Sequence, residues 1–208
     1  MQIDDITPQI VPLPAPPAQG RYLFESPLVV LLALVIAALV ALLIFNAQAK
    51  LKLGAIVAGA IALLAVGVWA LATAVVTPRE RLIARAKEVI DATAAADVTR
   101  LRPMLAEQSR VRVGGGTIAS NRESILTRVA DFQGEYHVTI ESHRVAEAQA
   151  AIDGPQSART QLRVKHSGPG LPSASWWLIE WRRESEDSPW VAEVIEPLWI
   201  SGYGNLQR

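Results

Sequence analysis

The sequence predicts an α+β domain that follows two membrane-spanning helices, and three observations support this fold class. Two long runs, residues 26–49 and 53–78, contain no Asp, Glu, Lys or Arg. After these runs, apolar residues recur first at helical spacing and then at the two-residue period of strands. Helices followed by a series of strands, rather than alternating with them, are typical of α+β domains.

The composition excludes several classes of function. Acidic and basic residues number 20 each, so there is no basic excess of the kind that nucleic-acid binding needs. The absence of cysteine excludes disulfides, thiolate chemistry and cysteine zinc sites. We therefore expect no nucleic-acid partner, no metal and no cofactor, and the sequence leaves the catalytic residues, if any, unknown.

The first two regions are a proline-rich tail, residues 1–25, and a helical hairpin, residues 26–76. A spanning helix needs about 20 apolar residues, and segments 27–46 and 53–76 both reach that length. Residues 29–45 carry no polar side chain on any face, whereas a soluble core helix usually has a polar stripe. This favours a membrane hairpin over a buried pair of soluble helices. A cleaved signal peptide is disfavoured, because the first run begins late and lacks a basic start.

The charges beside the two runs predict an orientation. The short loop holds Lys50 and Lys52, whereas the N-terminal flank holds only Arg21 among basic residues. The positive-inside rule then places the loop in the cytoplasm. Basic residues also follow the second run, but we interpret them as the polar face of the next helix. We therefore expect a multi-pass protein of the inner (cytoplasmic) membrane, in contact with the lipid bilayer, whose C-terminal domain, residues 77–208, is extracytoplasmic.

Three helices are predicted at the start of this domain. The first begins at Thr77-Pro78-Arg79-Glu80, where Thr77 is the N-cap and Glu80 completes a capping box, and it ends near Asp97. A second, shorter helix from Val98 to Leu105 contains Pro103, which must kink it or mark its first turn. Ser120-Asn121-Arg122-Glu123 is a second capping box and opens a third helix. The apolar face of this third helix consists of Ile125, Leu126, Val129 and Phe132.

Alternating apolar and polar residues predict the strands. They comprise a short strand at 109–113 before a glycine turn at 114–116, and longer strands at 136–141, 158–165, 176–183 and 190–200. The three turn glycines lack the Lys and Ser/Thr of a phosphate-binding loop.

This order of elements resembles the nuclear-transport-factor-2-like (NTF2-like) superfamily, which includes ketosteroid isomerases and polyketide cyclases. The resemblance covers residues 78–200 and depends on the element order and on the final Trp-rich hairpin from Trp176 to Ile195. It implies a cone-like domain with three helices packed on a curved antiparallel sheet. Two spans leading directly into such a domain also resemble small uncharacterised bacterial membrane proteins. Members of the superfamily include enzymes, ligand binders and assembly modules, so the fold does not select a function.

The ligand-pocket candidates are aromatic and aliphatic. Trp177, Ile179 and Trp181 share one face of a strand, and Tyr136 lies on another predicted strand. These side chains either line a ligand pocket or fill the core beneath the helices.

Histidines give a second set of candidates. His137, His143 and Glu141 fall on one side of a predicted strand, where they either form an acid-base pair in the cone or face solvent. His166 is expected to be exposed near a turn.

These observations give two functional hypotheses. In the first, the protein is a membrane-anchored, non-enzymatic module whose α+β domain binds a partner protein, a second copy or a small apolar ligand near the bilayer. In the second, it is a small isomerase- or cyclase-like enzyme with a cone-shaped pocket. No catalytic motif is recognisable, which favours the first hypothesis.

Overall fold

The structure, a computed structural model, describes residues 10–15, 28–132, 134 and 139–206. The chain divides into two compact units. One unit lies between residues 15 and 78, and the other combines the residues up to 14 with those from 79 onward.

The first unit is a helical hairpin. Helix α1 (Leu28–Ala47) and helix α2 (Leu51–Ala74) are joined by a tight turn and pack against each other. Gly54 is buried at this contact, since a Cβ there would lie 2.8 Å from the Cβ of Phe45. The most apolar 18-residue windows have mean hydropathies of 3.5 in α1 and 2.4 in the stretch from Leu51, and neither window is buried. By length and composition alone, both helices are able to cross a membrane.

Helix α3 (Pro78–Ala94) opens the α+β unit. It begins at Pro78, as predicted, because the fixed φ of proline suits the first helical position and its missing N–H is not needed there. Leu82, Ala86 and Val89 are buried along one face, so the predicted amphipathic pattern is confirmed. The helix ends three residues before the predicted Asp97.

The second predicted helix is shorter than expected. Helix α4 (Val98–Leu101) passes into a single 3-10 turn (Arg102–Met104) at Pro103. Proline lacks the N–H of the next helical hydrogen bond, so the α-helix does not continue through it. Leu105, assigned to this helix from the sequence, is instead the buried first residue of strand β1.

Helix α5 (Arg122–Ala130) has the predicted apolar face, but its cap differs from the prediction. Asn121 rather than Ser120 is the N-cap, and its side chain accepts a hydrogen bond from the backbone N–H of Ser124 at 2.8 Å. Glu123, the predicted partner in the capping box, forms an ion pair with Arg102 instead. The observed capping box, Asn121 with Ser124, starts one residue later than the predicted box, Ser120 with Glu123. Glu123 has no capping role in the observed box, which agrees with its ion pair to Arg102.

Within the described residues, seven strands form one sheet in the order β2-β1-β6-β5-β4-β3, and β7 pairs with β6. All described pairings are antiparallel except β1 with β6. Register shifts interrupt several of these ladders, and such bulges bend a sheet. The bounds are β1 (Leu105–Val113), β2 (Gly116–Ala119), β3 (Ser142–Ile152), β4 (Ser157–Ser167), β5 (Ala174–Arg182), β6 (Val191–Ile200) and β7 (Gly204–Asn205).

Three strands were not predicted correctly, and one of them, the two-residue strand β7, was not predicted at all. Strand β2 was missed, although the glycine turn before it is present, with Gly114 at φ 58° and Gly115 at φ 81°. Strand β3 begins at Ser142, where the predicted strand 136–141 had already ended. Of that predicted strand, residues 136–138 lie outside the described residues, and 139–141 are not in a strand.

The hydrophobic core lies between the helices and one face of the sheet. It includes Leu82 and Val89 from α3, Ile125 from α5, and Leu162 and Ile179 from the sheet. We call this side of the sheet the inner face. The α+β architecture, with helices packed on a bent and mainly antiparallel sheet, is therefore confirmed.

Candidate functional site

A cavity of about 230 Å³ lies in the α+β unit between α3 and the inner face of the sheet. For comparison, an engineered apolar cavity of about 150 Å³ admits benzene. The walls are mostly apolar, and the polar side chains among them are Thr93, His143, His166 and Ser175. The other lining residues are Ile90, Ala94, Phe132, Ile140, Val164, Leu171, Pro172, Trp177 and Ile200.

A second cavity of about 210 Å³ shares Ile90, Thr93, Phe132 and Trp177 with the first and extends toward α5. Its lining side chains are apolar except for Thr93 and Arg128. The shared residues make the two cavities neighbours. Together the two cavities form a mostly apolar space. Its polar lining side chains all belong to the first cavity, except for Arg128, which lines only the second.

The structure brings two of the four predicted pocket residues to these cavities. Trp177 lines both, and Ile179 lines the second. Trp181 lines neither: it is 2% exposed, and its Nε1–H donates a hydrogen bond to Thr160 Oγ1 at 2.9 Å. Trp181 therefore fills the core beneath the helices. Tyr136 lies outside the described residues.

His143 stands at one edge of the first cavity and has an acidic partner. Its Nε2 lies 2.7 Å from Oδ1 of Asp91 on α3, and both side chains are partly exposed. A carboxylate only accepts hydrogen bonds, so Nε2 of His143 carries the proton and donates it. The carboxylate fixes the tautomer of the ring and leaves Nδ1 as its other polar atom.

His166 lies directly opposite His143 in the β3–β4 ladder. Its Nε2 is 3.2 Å from Ser175 Oγ, which also accepts a hydrogen bond from Trp177 Nε1 at 2.7 Å. Its Nδ1 is buried and has no hydrogen-bond partner among the described residues. Burial lowers the pKa of His166, and the neighbouring His143 lowers it further, so the neutral ring is favoured near pH 7.

The histidine predictions need correction. The expectation that His166 is exposed is wrong, because the side chain is half-buried and lines the cavity. His143 does not face open solvent either, since strand β3 turns it toward α3. Glu141 precedes β3, is exposed and does not pair with His143. His137 lies outside the described residues.

Sequence reasoning missed Asp91 and Ser175. A signal existed for Ser175, since it continues the two-residue period of Trp177, Ile179 and Trp181 on one strand face. No signal existed for Asp91, because it is 52 residues from His143 and only the packing of α3 on the sheet brings them together. Among the described residues, no three His, Asp or Glu side chains are grouped closely enough to hold a metal ion.

No family model matches the sequence, and no curated protein matches it significantly. Solved structures are similar to the α+β unit. An NTF2-like protein from Cytophaga hutchinsonii is 12% identical, with a TM-score of 0.49 over 59% of this chain and 98% of its own.

Two further solved structures are similar over a comparable part of this chain. A protein of unknown function with a cystatin-like fold from Nostoc punctiforme is 10% identical (TM-score 0.48, 59% of this chain and 90% of its own). A putative ketosteroid isomerase from Shewanella frigidimarina is 14% identical (TM-score 0.43, 54% of this chain and 90% of its own).

Proposed function

We propose that the protein is a membrane-anchored binding module whose α+β domain holds a small, largely apolar ligand with one polar end. The observation that carries this proposal is the pair of adjoining apolar cavities with His143, His166 and Ser175 at one edge. Ligand sites are typically apolar with a few polar groups that fix the orientation of the ligand. His143, His166 and Ser175 are the lining side chains placed to orient the polar end.

The membrane anchor is the hairpin of α1 and α2. Its support is the charge-free length of both helices and the lysines of the loop between them, which favour an extracytoplasmic domain. A contact within the α+β unit agrees with two crossings: Gln161 Nε2 donates to the carbonyl oxygen of Val11, which precedes α1. Residues before and after the hairpin are then on the same side of the bilayer, as an even number of crossings requires.

An isomerase- or cyclase-like enzyme is the second candidate, and Asp91–His143 is the observation that favours it. A histidine oriented by a carboxylate and placed beside a cavity is the arrangement of a general base. In this version of the function, His143 Nδ1 accepts a proton from the ligand and the apolar walls hold the rest of the molecule.

Native mass spectrometry of the full chain in lipid nanodiscs tests the binding proposal. The sample is examined first for a retained small molecule and then after incubation with 2-naphthol, an apolar compound with one hydroxyl group. Ala94→Trp places a large side chain in the first cavity, and Ala84→Trp makes the same change at an exposed position of α3. We expect the bound mass in the wild type and Ala84→Trp, and its loss in Ala94→Trp.

The same experiment separates the two candidates. Equal binding by both tryptophan variants, or no bound mass in the wild type, would contradict a ligand site in this cavity. A retained molecule that the wild type converts, and that His143→Gln binds without converting, would favour the enzyme.

A further inference from the structure

We call the face of the sheet opposite the inner face the outer face. It carries both apolar and charged side chains. At its centre Gln161 of β4 lies opposite Leu178 of β5, and Trp176 of β5 lies opposite Trp199 of β6. The neighbouring Arg163 forms an ion pair with Glu147 at 2.9 Å. Leu178, Trp176 and Trp199 therefore form an apolar strip that includes the amide group of Gln161 and lies beside the Arg163–Glu147 ion pair.

This face is more buried than a solvated sheet surface. Gln161 is only 5% exposed, and Val194, which lies opposite outward-pointing Glu180, is 1% exposed. Ala151 and Ala174, opposite Arg159 and Lys165, are likewise buried but do not belong to the core cluster beneath the helices. The outer face therefore has buried positions among its long charged side chains, although Gln149 and Lys165 on the same face are exposed.

The described segment that contacts this face is Ile10–Pro14, through Val11. The side chain of Gln161 donates a hydrogen bond from Nε2 to the backbone carbonyl oxygen of Val11 at 3.1 Å. Residues 10–14 also belong to the same compact unit as the sheet. A backbone carbonyl is a feature that any extended peptide offers, whatever its side chains.

The burial pattern of the segment has the period of a polyproline II helix. Pro12 and Pro14 fix φ near the value of this conformation, which has three residues per turn. Ile10 and Leu13 are three residues apart and half-buried, whereas the residues between and after them are exposed. One side of the segment therefore faces the domain and the other faces solvent.

We propose that the outer face is a receptor for an extended, proline-rich peptide with apolar residues three positions apart, and that residues 10–14 of this chain occupy it. Proline-rich peptides dock on aromatic-lined surfaces because little conformational entropy is lost on binding. Trp176 and Trp199 supply the aromatic groups, and Gln161 donates a hydrogen bond to a backbone carbonyl oxygen of the peptide. A partner protein that carries such a segment competes with the chain's own tail.

The test uses the full chain and a variant lacking residues 1–15, both in nanodiscs, with a fluorescent synthetic peptide of residues 8–17. Anisotropy should show binding to the truncated chain and at least tenfold weaker binding to the intact chain, because the covalently attached tail is present at a high effective concentration. A peptide with Leu13→Asp should bind neither chain. Equal binding to both chains would overturn the proposal.

Two further variants show whether Gln161 makes the contact. Gln161→Leu in the truncated chain should weaken peptide binding about fivefold, the effect of one hydrogen bond. Gln149→Leu is the matched control, because Gln149 is the exposed register partner of Gln161 on β3, and it should change nothing. An equal loss of peptide affinity in both variants would show that Gln161 makes no specific contact with the peptide.

A full-length route avoids any folding defect caused by the truncation. Ile10→Asp combined with Leu13→Asp keeps the chain length and removes both apolar contacts of the tail. This variant should bind the wild-type peptide as the truncated chain does. Failure of both opened chains to bind the peptide would show the proposal to be wrong, while leaving the ligand cavity of the inner face unaffected.

Discussion

The two faces of the sheet are built from alternate residues of the same strands, yet they differ in what covers them. The inner face is covered by helices, and where the helices do not fill the space it retains a cavity edged by His143, His166 and Ser175. The outer face is contacted by an extended segment through the side chain of Gln161 and a backbone carbonyl. A helix brings side chains to a surface, whereas an extended segment also offers its backbone. We therefore proposed a small molecule as the ligand of the inner face and a peptide as the ligand of the outer face.

Leucine truncation should give the largest contrast between the faces. Leu162 points into the core and is fully buried, whereas Leu178 on the neighbouring strand points outward and is half-buried. Leu162→Ala should lower the free energy of unfolding by about 2–5 kcal/mol, and Leu178→Ala by less than half as much. Thermal unfolding in nanodiscs, followed by near-ultraviolet circular dichroism, measures both. Equal losses would mean that the outer face is as much a core as the inner one.

A smaller effect should come from the cap of α5, the helix that bounds the second cavity. Asn121→Ala removes the side chain that accepts from the Ser124 N–H and should cost about 1 kcal/mol of stability. Ser120→Ala is the control, because Ser120 is exposed and precedes the cap. A loss of stability from Ser120→Ala but not from Asn121→Ala would show that Ser120 is the N-cap, as the sequence predicted.

The smallest effect should be a pH dependence that belongs to the inner face. Burial lowers the pKa of His166 in the folded protein, while the unfolded chain titrates near the ordinary histidine value of about 6.5. The unfolded state therefore binds more protons, and stability falls as the pH drops below about 6.5. His166→Gln should flatten this part of the stability profile, and an unchanged slope would show that other groups cause it.

The Asp153–Arg159 pair provides an internal control for the pH dependence of stability. A hydrogen bond from Arg159 lowers the pKa of Asp153, so its contribution is present above the ordinary aspartate pKa of about 3.9 and is lost only in more acidic solution. The two faces should thus lose stability in separate pH ranges. The His166→Gln variant should retain the acidic step.

Strands β3 and β4 show how far the sequence can predict this fold. Strand β4 alternates apolar and polar residues, and its position was predicted within two residues at either end. Its partner β3 has four Ala residues, and alanine favours helices; β3 becomes a strand because it pairs with β4 along most of its length. The contact of Asp91 with His143 depends on that pairing, so the polar edge of the cavity was not predictable. By contrast, Trp177 was predictable, since local alternation alone places it on the core side.

The hydrogen bond between Val11 and Gln161 also orders events during synthesis. It joins residues 150 positions apart in the chain, with both apolar helices between them. The tail leaves the ribosome before the helices and the sheet, but the surface that it contacts is complete only after strands β4, β5 and β6 have been made and paired. Contacts of such long sequence separation form late. A segment made before both helices is therefore among the last to reach its place, and under our proposal the outer face stays open to other extended peptides until it does.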